Sequence, residues 1–335
     1  MRAAALLLLL CAAPSAARDE DRPVSTLPTA DLGGTLRDWW GRLRGRPAPP
    51  PPPAGETARV VSWNVQALGK SLPQKRKKAL SLAVARLLAG RAPTVFAAQE
   101  VANDAGSRAL TRMLPGEGRG WTASFENTSS AMNNAVYAGP GTRVNCGGNL
   151  LLDGVTHPPH MAHVTVGAAD FTLVSVHLTY AGGDASASLA ELDVILAWAR
   201  EQAARPGADP DFVIAGDFNL PTSRGKALSA RSGSGAWTPL EESVSADFIP
   251  LVDEPTSRSG RTSAANNYDH FLVSTDFAAE ELLDAGVLDV AAVHAAEAEG
   301  GSRTSDHYPI AMGLRVAGNG RDGRPIALDG AAICR

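Results

Sequence analysis

The 335-residue chain has few cysteines, few aromatic residues and no strong excess of either charge. Three cysteines are too few for a disulfide-rich scaffold. Aromatic residues make up 5%, and 31 Lys and Arg against 35 Asp and Glu leave a net charge of −4, which names no partner. No apolar run approaches the about 20 residues that a membrane-spanning helix needs. The 44% hydrophobic content can still fill a large core, so a wholly disordered chain is excluded.

Residues 1–17 have the pattern of a secretory signal peptide. A basic start at Arg2 is followed by an apolar run from Ala3 to Ala13, and small residues end the segment at Ala17. The apolar run is too short to span a bilayer. We therefore expect a secreted protein without a transmembrane segment.

Removal of residues 1–17 would take Cys11 away and leave two cysteines. Cys146 and Cys334 would then stand as an even pair in an oxidising compartment. They either form one disulfide or remain unpaired, because sequence gives no distance between them.

The rest of the chain divides into three parts by composition. Residues 18–57 contain five consecutive prolines and predict a disordered, proline-rich spacer. Residues 58–316 alternate short β-branched runs with amphipathic stretches, which predicts a layered α/β domain. Residues 317–335 are rich in Gly and Asp and predict a C-terminal tail.

Polar side chains stand at the ends of the predicted strands. One rim of a sheet is where α/β folds build their sites, so six such positions in order favour chemistry over turn formation. They lie in the following segments: Ser62-Trp63-Asn64-Val65, Gln99-Glu100, Val176-His177-Leu178, Gly216-Asp217-Phe218-Asn219, Tyr268-Asp269 and Ser305-Asp306-His307-Tyr308-Pro309.

In this order these motifs resemble those of the endonuclease/exonuclease/phosphatase superfamily. The resemblance implies an α/β fold of four layers, in which two packed, mainly antiparallel sheets are flanked by helices. It also implies a divalent-metal-dependent phosphoester hydrolase. The histidine at position 177 and the tyrosine at position 308 are more similar to secreted pancreatic-type deoxyribonucleases and neutral sphingomyelinases than to abasic-site nucleases.

The resemblance also implies roles for single residues. Asn64, Glu100 and Asp306 would bind the metal, and oxygen donors of this kind favour Mg²⁺, with Mn²⁺ or Ca²⁺ as alternatives. His307, oriented by Asp269, would activate the attacking water.

Three further residues complete the implied catalytic set. His177 would protonate the leaving oxygen or bind the phosphate. Asp217 and Asn219 would position the water and the phosphate, and Asp217 is also a candidate ligand of a second metal.

The substrate is less well defined by the sequence. Residues 58–316 hold 21 Lys and Arg against 27 Asp and Glu, a net charge of −6, yet the loops after Asn219 and before Asp269 are locally basic. Arg224, Arg258 and Arg261 in these loops are candidates for substrate binding, and Trp237 could stack on a base or a sugar.

Nucleic acid is therefore the favoured phosphoester. Two alternatives stay open, a sphingomyelinase-like lipid phosphodiesterase and a small-molecule or inositol phosphatase, and so does a non-catalytic secreted binding module. Nothing in the sequence indicates a protein partner, and we expect a monomer.

Two remaining patterns predict surface residues. His157, His160 and His163 are spaced by three on an extended segment, so they should not converge on a metal and should lie at the surface. The basic run Lys75–Lys78 begins a predicted helix, as either a phosphate contact or a solvated face.

Overall fold

The computed structural model describes residues 57–69, 71–90, 92–182, 185–220, 240, 244, 247–260 and 262–316. Twelve strands lie in these residues: β1 (Thr57–Leu68), β2 (Thr94–Val101), β3 (Thr122–Phe125), β4 (Asn133–Ala138), β5 (Thr142–Asn149), β6 (His160–Val166), β7 (Ala169–His177), β8 (Phe212–Asp217), β9 (Phe248–Pro250), β10 (Asp269–Ser274), β11 (Leu282–Val287) and β12 (Ile310–Arg315). The α-helices are α1 (Gln74–Leu87), α2 (Asp104–Met113), α3 (Ser186–Ala203), α4 (Thr275–Glu280) and α5 (Val290–Gly300), and a 3₁₀ turn spans Pro115–Gly118.

The strands form two six-stranded sheets. The first sheet has the order β11-β12-β1-β2-β4-β3 and the second has the order β5-β6-β7-β8-β10-β9. The pairs β1–β2 and β7–β8 are parallel, and the other pairs are antiparallel. Each sheet therefore has one parallel pair near its centre, whose two carboxyl ends lie side by side.

The sheets pack face to face and helices cover their outer faces. Side chains from both sheets, such as Val60, Phe171 and Val213, share one inner core. A second core lies between the first sheet and α1, α2 and α5, and a third lies between the second sheet and α3. The predicted four-layered α/β sandwich is confirmed.

Helices α1 and α3 follow from their apolar spacing. In α1 the buried residues are Ala79, Leu80, Ala83, Val84 and Leu87, and in α3 they include Leu192, Ile195, Leu196 and Ala199. Spacings of three and four place each set on one helix face, and burial of that face drives the helix against its sheet.

Several predictions concern residues outside the described ranges. The segments 1–17 and 317–335 lie there, as does 18–57 apart from Thr57. Cys146 is disulfide-bonded, but Cys334 is outside the described residues, so the pairing of the two stays a prediction. Among the described residues, no helix is long and apolar enough to cross a bilayer.

The prediction that His160 and His163 lie at the surface is wrong. Both are buried on β6, with 0% and 1% of their surface exposed, and His157 is half-buried. A spacing of three does send His160 and His163 to opposite faces of β6, but this strand lies inside a sheet that is covered on both sides. Opposite faces are therefore both interior here.

His160 connects the two sheets. Its Nε2 lies 2.8 Å from Ser124 Oγ on β3, and its Nδ1 lies 2.8 Å from Asn149 Oδ1 on β5. Burial disfavours the imidazolium and lowers the pKa of His160 to about 4.

We predict that His160 destabilises the fold in acid. Its pKa lies below the ordinary value, so the unfolded chain binds the proton first and the free energy of unfolding falls as the pH drops from about 6.5 to 4. The full penalty is about 3 kcal/mol. His160→Gln should remove about half of this pH dependence in urea unfolding at pH 7 and pH 4.5, because burial also lowers the pKa of His270 to about 4. Parallel losses in the wild type and the variant would contradict the assignment.

Candidate active site

The predicted motifs meet because the parallel pairs end at one rim. In the first sheet Asn64 on β1 is paired with Gln99 on β2, and Glu100 follows directly. In the second sheet Asp217 at the end of β8 lies between His177 on β7 and Asp269 on β10. Polar residues that are up to about 200 positions apart in sequence are thus brought together by strand register.

The glycine before Asp217 permits this approach. Gly216 has a φ of 150°, and a Cβ built there would lie 1.9 Å from the carbonyl oxygen of Val176 on β7. A side chain at this position would push β8 away from β7. The glycine is therefore what sets Asp217 directly beside His177.

Asp217 is the central acid of the site and is 2% exposed. Its Oδ2 accepts a hydrogen bond from Asn64 Nδ2 at 3.1 Å. The same oxygen lies 3.4 Å from His307 Nε2 and 3.7 Å from His177 Nε2. Two imidazoles therefore flank one buried carboxylate.

His307 and Asp269 form the expected pair. Nδ1 of His307 lies 2.6 Å from Oδ2 of Asp269, which is 1% exposed. Burial opposes the imidazolium, but the carboxylates of Asp269 and Asp217 outweigh it and raise the pKa of His307 to about 10. A carboxylate at Nδ1 fixes the tautomer, so Nε2 of His307 is the atom that faces Asp217.

Glu100 and Asp306 are the half-buried carboxylates of the site. Oε1 of Glu100 accepts from Asn64 Nδ2 at 2.9 Å, and Oε2 accepts from the Ala67 amide at 2.8 Å. Burial lowers the pKa of Arg76, and the negative charges of Asp306 and Glu100 partly offset this effect. Partly exposed oxygen donors that leave room for water fit a hard divalent cation such as Mg²⁺.

Asn64 has a more specific position than the sequence indicated. Its Oδ1 accepts from the Gln66 amide at 2.9 Å, while its Nδ2 donates to both Glu100 and Asp217. In this arrangement Asn64 orients the two carboxylates beside the candidate metal site. Its predicted role as a direct ligand stays a prediction.

Backbone strain is concentrated at this rim. Glu100 has a φ of 60° and Asn219 has a φ of 51°, and Gln66 and Ala67 also have positive values. Non-glycine residues hold this conformation only where surrounding contacts enforce it. For Asn219 those contacts are its amide to Asp217 Oδ1 at 3.0 Å and its Nδ2 to the Leu178 carbonyl at 2.8 Å.

Arg76 is a residue of the site that the sequence did not identify. It lies in the basic run, yet its guanidinium turns inward and donates to the carbonyls of Val65, Gln66 and Thr304. It therefore joins the end of β1 to the segment before Asp306. The three lysines of the run, Lys75, Lys77 and Lys78, are exposed. For them the predicted alternative of a solvated helix face applies.

Arg258 does not lie at the rim, and its predicted contact with substrate is wrong. Its side chain is 0% exposed, with Nη1 and Nη2 2.7 and 2.9 Å from the two carboxylate oxygens of Glu297. Nη1 also donates to the Ser305 carbonyl at 3.0 Å, and the guanidinium lies 4.6 Å from the ring centre of Tyr308. Arg258 thus supports the segment that carries Asp306 and His307.

The remaining substrate-binding candidates, Arg224, Trp237 and Arg261, lie outside the described residues. Two groups at the rim were missed. Tyr180 is 59% exposed and its ring centre lies 6.2 Å from that of Tyr268, which precedes Asp269. The His157 ring stacks on that of His177 at 5.4 Å.

The sequence offered only a weak signal for these groups. Tyr180 follows His177 by three positions, and His157 precedes Pro158 and Pro159 just before β6.

A buried acid-oriented histidine, a second histidine and two hard carboxylates at one sheet rim define a metal-dependent phosphoesterase. The sequence matches the Endonuclease/Exonuclease/phosphatase family over residues 61–307, which is most of the chain, and the protein belongs to this family. No curated protein sequence matches the chain.

Solved structures of low identity share the fold. Truncated Caenorhabditis elegans TDP2 is 15% identical, with a TM-score of 0.52 over 78% of this chain and 98% of its own. Humanized D. rerio TDP2 is 15% identical, with a TM-score of 0.54 over 78% and 99%. ANGEL2, described as a 2′,3′-cyclic phosphatase, is 14% identical, with a TM-score of 0.54 over 77% and 95%.

The Arg258–Glu297 pair should be essential for stability. Arg258→Met leaves the Glu297 carboxylate buried without its partner, which should lower the free energy of unfolding by about 3–5 kcal/mol. Arg205→Met is the matched control, because the Arg205–Glu201 pair is exposed and should contribute less than about 1 kcal/mol. Urea unfolding compares the two, and equal losses would contradict the buried role.

Proposed function

We propose that the protein is an exported phosphodiesterase that hydrolyses nucleic acid. The observation that supports this best is the position of His177 and His307 on either side of the Asp217 carboxylate. When a phosphodiester of nucleic acid is hydrolysed, the leaving group is a sugar alkoxide. The reaction therefore needs a proton donor as well as a base. Two imidazoles in different environments supply these two roles.

His307 is the base in this proposal. Its Nδ1 is held by Asp269. The raised pKa of His307 favours the imidazolium, so Nε2 must first release its proton before it takes the proton of the attacking water that Asp217 orients. The carboxylate of Asp269 stabilises the imidazolium that results.

His177 is the acid and protonates the leaving oxygen. Its ring is held by stacking on His157, and its Nε2 lies 4.0 Å from Glu100 Oε1 as well as near Asp217. Asn219 would contribute one amide N–H to positioning the phosphate.

A divalent cation, with Mg²⁺ preferred, would be held by Glu100 and Asp306. When bound it supplies charge neutralisation on the phosphoryl oxygens. Asn64 keeps the two carboxylates Glu100 and Asp217 in place, and Arg76 limits the mutual repulsion of Glu100 and Asp306. The pair Tyr180 and Tyr268 offers aromatic surface on which a base or a sugar can stack.

Export is the second part of the proposal. Residues 1–17 carry the features of a signal peptide, and the mature chain would begin at Arg18. Cys146 is disulfide-bonded, which is typical of an oxidising compartment.

A substrate panel tests the proposal. Full-length protein is incubated with plasmid DNA, RNA, sphingomyelin vesicles and phosphate monoesters, each with Mg²⁺ and with EDTA. We expect metal-dependent cleavage of nucleic acid, reduced about 10³-fold or more in His307→Ala and in Glu100→Gln. Asp284→Asn, at the far edge of the first sheet, should keep full activity.

Two results would overturn parts of this assignment. Cleavage of sphingomyelin or a monoester without cleavage of nucleic acid would exclude the substrate. Activity that survives EDTA or His307→Ala would exclude the mechanism.

A change of leaving group tests the role of His177. His177→Ala should lower the rate on DNA by about 10²–10⁴-fold, because an alkoxide must be protonated as it leaves. The loss on bis(p-nitrophenyl) phosphate should be far smaller, since nitrophenolate leaves without a proton. His307→Ala should reduce both rates. Equal losses on the two substrates in His177→Ala would show that His177 binds phosphate instead.

A further inference from the structure

The two stacked histidines of the active site belong to separate segments of the chain. His157 lies in residues 150–159 between β5 and β6, and His177 ends β7 directly before the segment that leads to α3. Their ring centres are 5.4 Å apart, with an angle of 22° between the ring planes. The stack therefore forms only where these two segments keep a fixed distance and orientation.

His177 has no hydrogen bond that orients its ring from the far side. Its Nδ1 is buried, and no described residue pairs with it. His307 differs, because Asp269 holds its Nδ1 at 2.6 Å. A histidine that acts through Nε2 is ordinarily oriented by a partner on Nδ1. The ring of His177 depends instead on stacking against His157 and on the segments that carry the two rings.

Glu191 on α3 connects these two segments. Its Oε1 accepts from the Thr156 amide at 2.9 Å and from Thr179 Oγ1 at 2.7 Å. Its Oε2 accepts from the Thr179 amide at 2.7 Å. Thr156 directly precedes His157, and Thr179 follows His177 by two positions. One carboxylate is thus hydrogen-bonded to the backbone beside both rings at the same time.

Two further contacts strengthen this connection. Thr179 Oγ1 lies 3.0 Å from Thr156 Oγ1, so the two segments also meet directly. Ser188 Oγ, one turn before Glu191 on α3, donates to the Thr179 carbonyl at 2.6 Å. Thr179 is therefore held through its amide, its carbonyl and its hydroxyl.

The carboxylate of Glu191 requires these donors. It is 3% exposed, and among the described residues it forms no salt bridge. Burial alone would raise the pKa of Glu191, but the hydrogen bonds from Thr156 and Thr179 outweigh burial and lower it. A buried carboxylate that loses a donor is costly, so displacement of either segment is opposed.

We propose that Glu191 is a positioning residue of the active site, which holds His157 and His177 in their stacked arrangement. It acts through these two rings and does not touch the reacting atoms. Its effect is to fix the ring of His177 with Nε2 beside Asp217 and Glu100. The consequence for the reaction rests on the proposed function, in which His177 protonates the leaving oxygen.

Substitution by glutamine tests this role with a small change of shape. Glu191→Gln replaces one accepting oxygen by an NH₂ group, which cannot accept from a backbone amide. The contact to the Thr156 amide or the contact to the Thr179 amide is then lost. Glu201→Gln is the matched control, because Glu201 lies on the same helix and is exposed.

Rates on two substrates give the first measurement. Glu191→Gln should lower kcat on DNA about tenfold with little change in KM, because His177 no longer donates its proton along a fixed direction. The rate on bis(p-nitrophenyl) phosphate should change less than about twofold, since its leaving group needs no proton. Glu201→Gln should alter neither rate. A loss of folded protein would instead lower both rates together.

Histidine NMR gives a second measurement that does not depend on activity. In protein with isotope-labelled histidine, the ring current of His157 shifts the ring protons of His177, and His157→Ala identifies this shift. Glu191→Gln should remove most of it, whereas the signals of His307 should stay in place. Thr179→Val keeps the amide contact to Glu191 and lacks only the hydroxyl, so it should give a smaller change. It carries the test if Glu191→Gln does not fold.

Three results separate this proposal from the proposed function. Folded Glu191→Gln that keeps the His177 shift and the wild-type rate on DNA would overturn the positioning role. Equal losses on both substrates with the shift retained would also overturn it, because Glu191 would then support the fold alone. A wild-type protein that leaves nucleic acid intact, with a His177 shift that Glu191→Gln removes, would overturn the proposed function and support the positioning role.

Discussion

One buried carboxylate oxygen, Oδ2 of Asp217, connects the two halves of the sandwich. Asn64 from the first sheet donates to it at 3.1 Å, and the imidazoles of His307 and His177 lie 3.4 and 3.7 Å away. Because Asp217 is nearly inaccessible to water, these groups replace its hydration. The relative position of the two sheets at the rim therefore depends on satisfying this one charge.

Residues outside the active site also hold the groups around Asp217 in position. Gly216 sets the distance between β7 and β8, and Arg258 with Glu297 fixes the segment that holds Asp306 and His307. A buried ion pair of this kind contributes geometry more than net stability, because its desolvation offsets much of its attraction. Removal of either partner nevertheless leaves a costly charge. The segment that holds Asp306 and His307 is thus fixed by Arg258 and is sensitive to loss of either Arg258 or Glu297.

The residues at the strand ends could be predicted from sequence, but the partner of the loop residue Arg258 could not. Apolar runs of β-branched residues mark buried strands, and polar residues at their ends must share a rim if the strands share a sheet. This reasoning brings His177, Asp217 and Asp269 together correctly. Arg258 follows a different rule, since a local basic loop looks the same whether its arginine faces solvent or Glu297. Only the packing of α5 against this loop decides between the two.

The described part of the chain contains two groups of one histidine with two aspartates, namely His307 with Asp217 and Asp269, and His163 with Asp170 and Asp209. The distances within the two groups differ. At the rim, His307 and Asp269 are too close together for an ion to lie between them, so the pair can only exchange and orient a proton. At the opposite end of β7 and β8, His163 Nε2 and Asp209 Oδ2 form a longer hydrogen bond of 3.3 Å between two buried side chains. The prediction that His163 lies at the surface was wrong because it was based on residue spacing alone. A strand in the interior of a sandwich buries both faces, so a polar residue on either face must find a partner, and that requirement makes the second cluster informative.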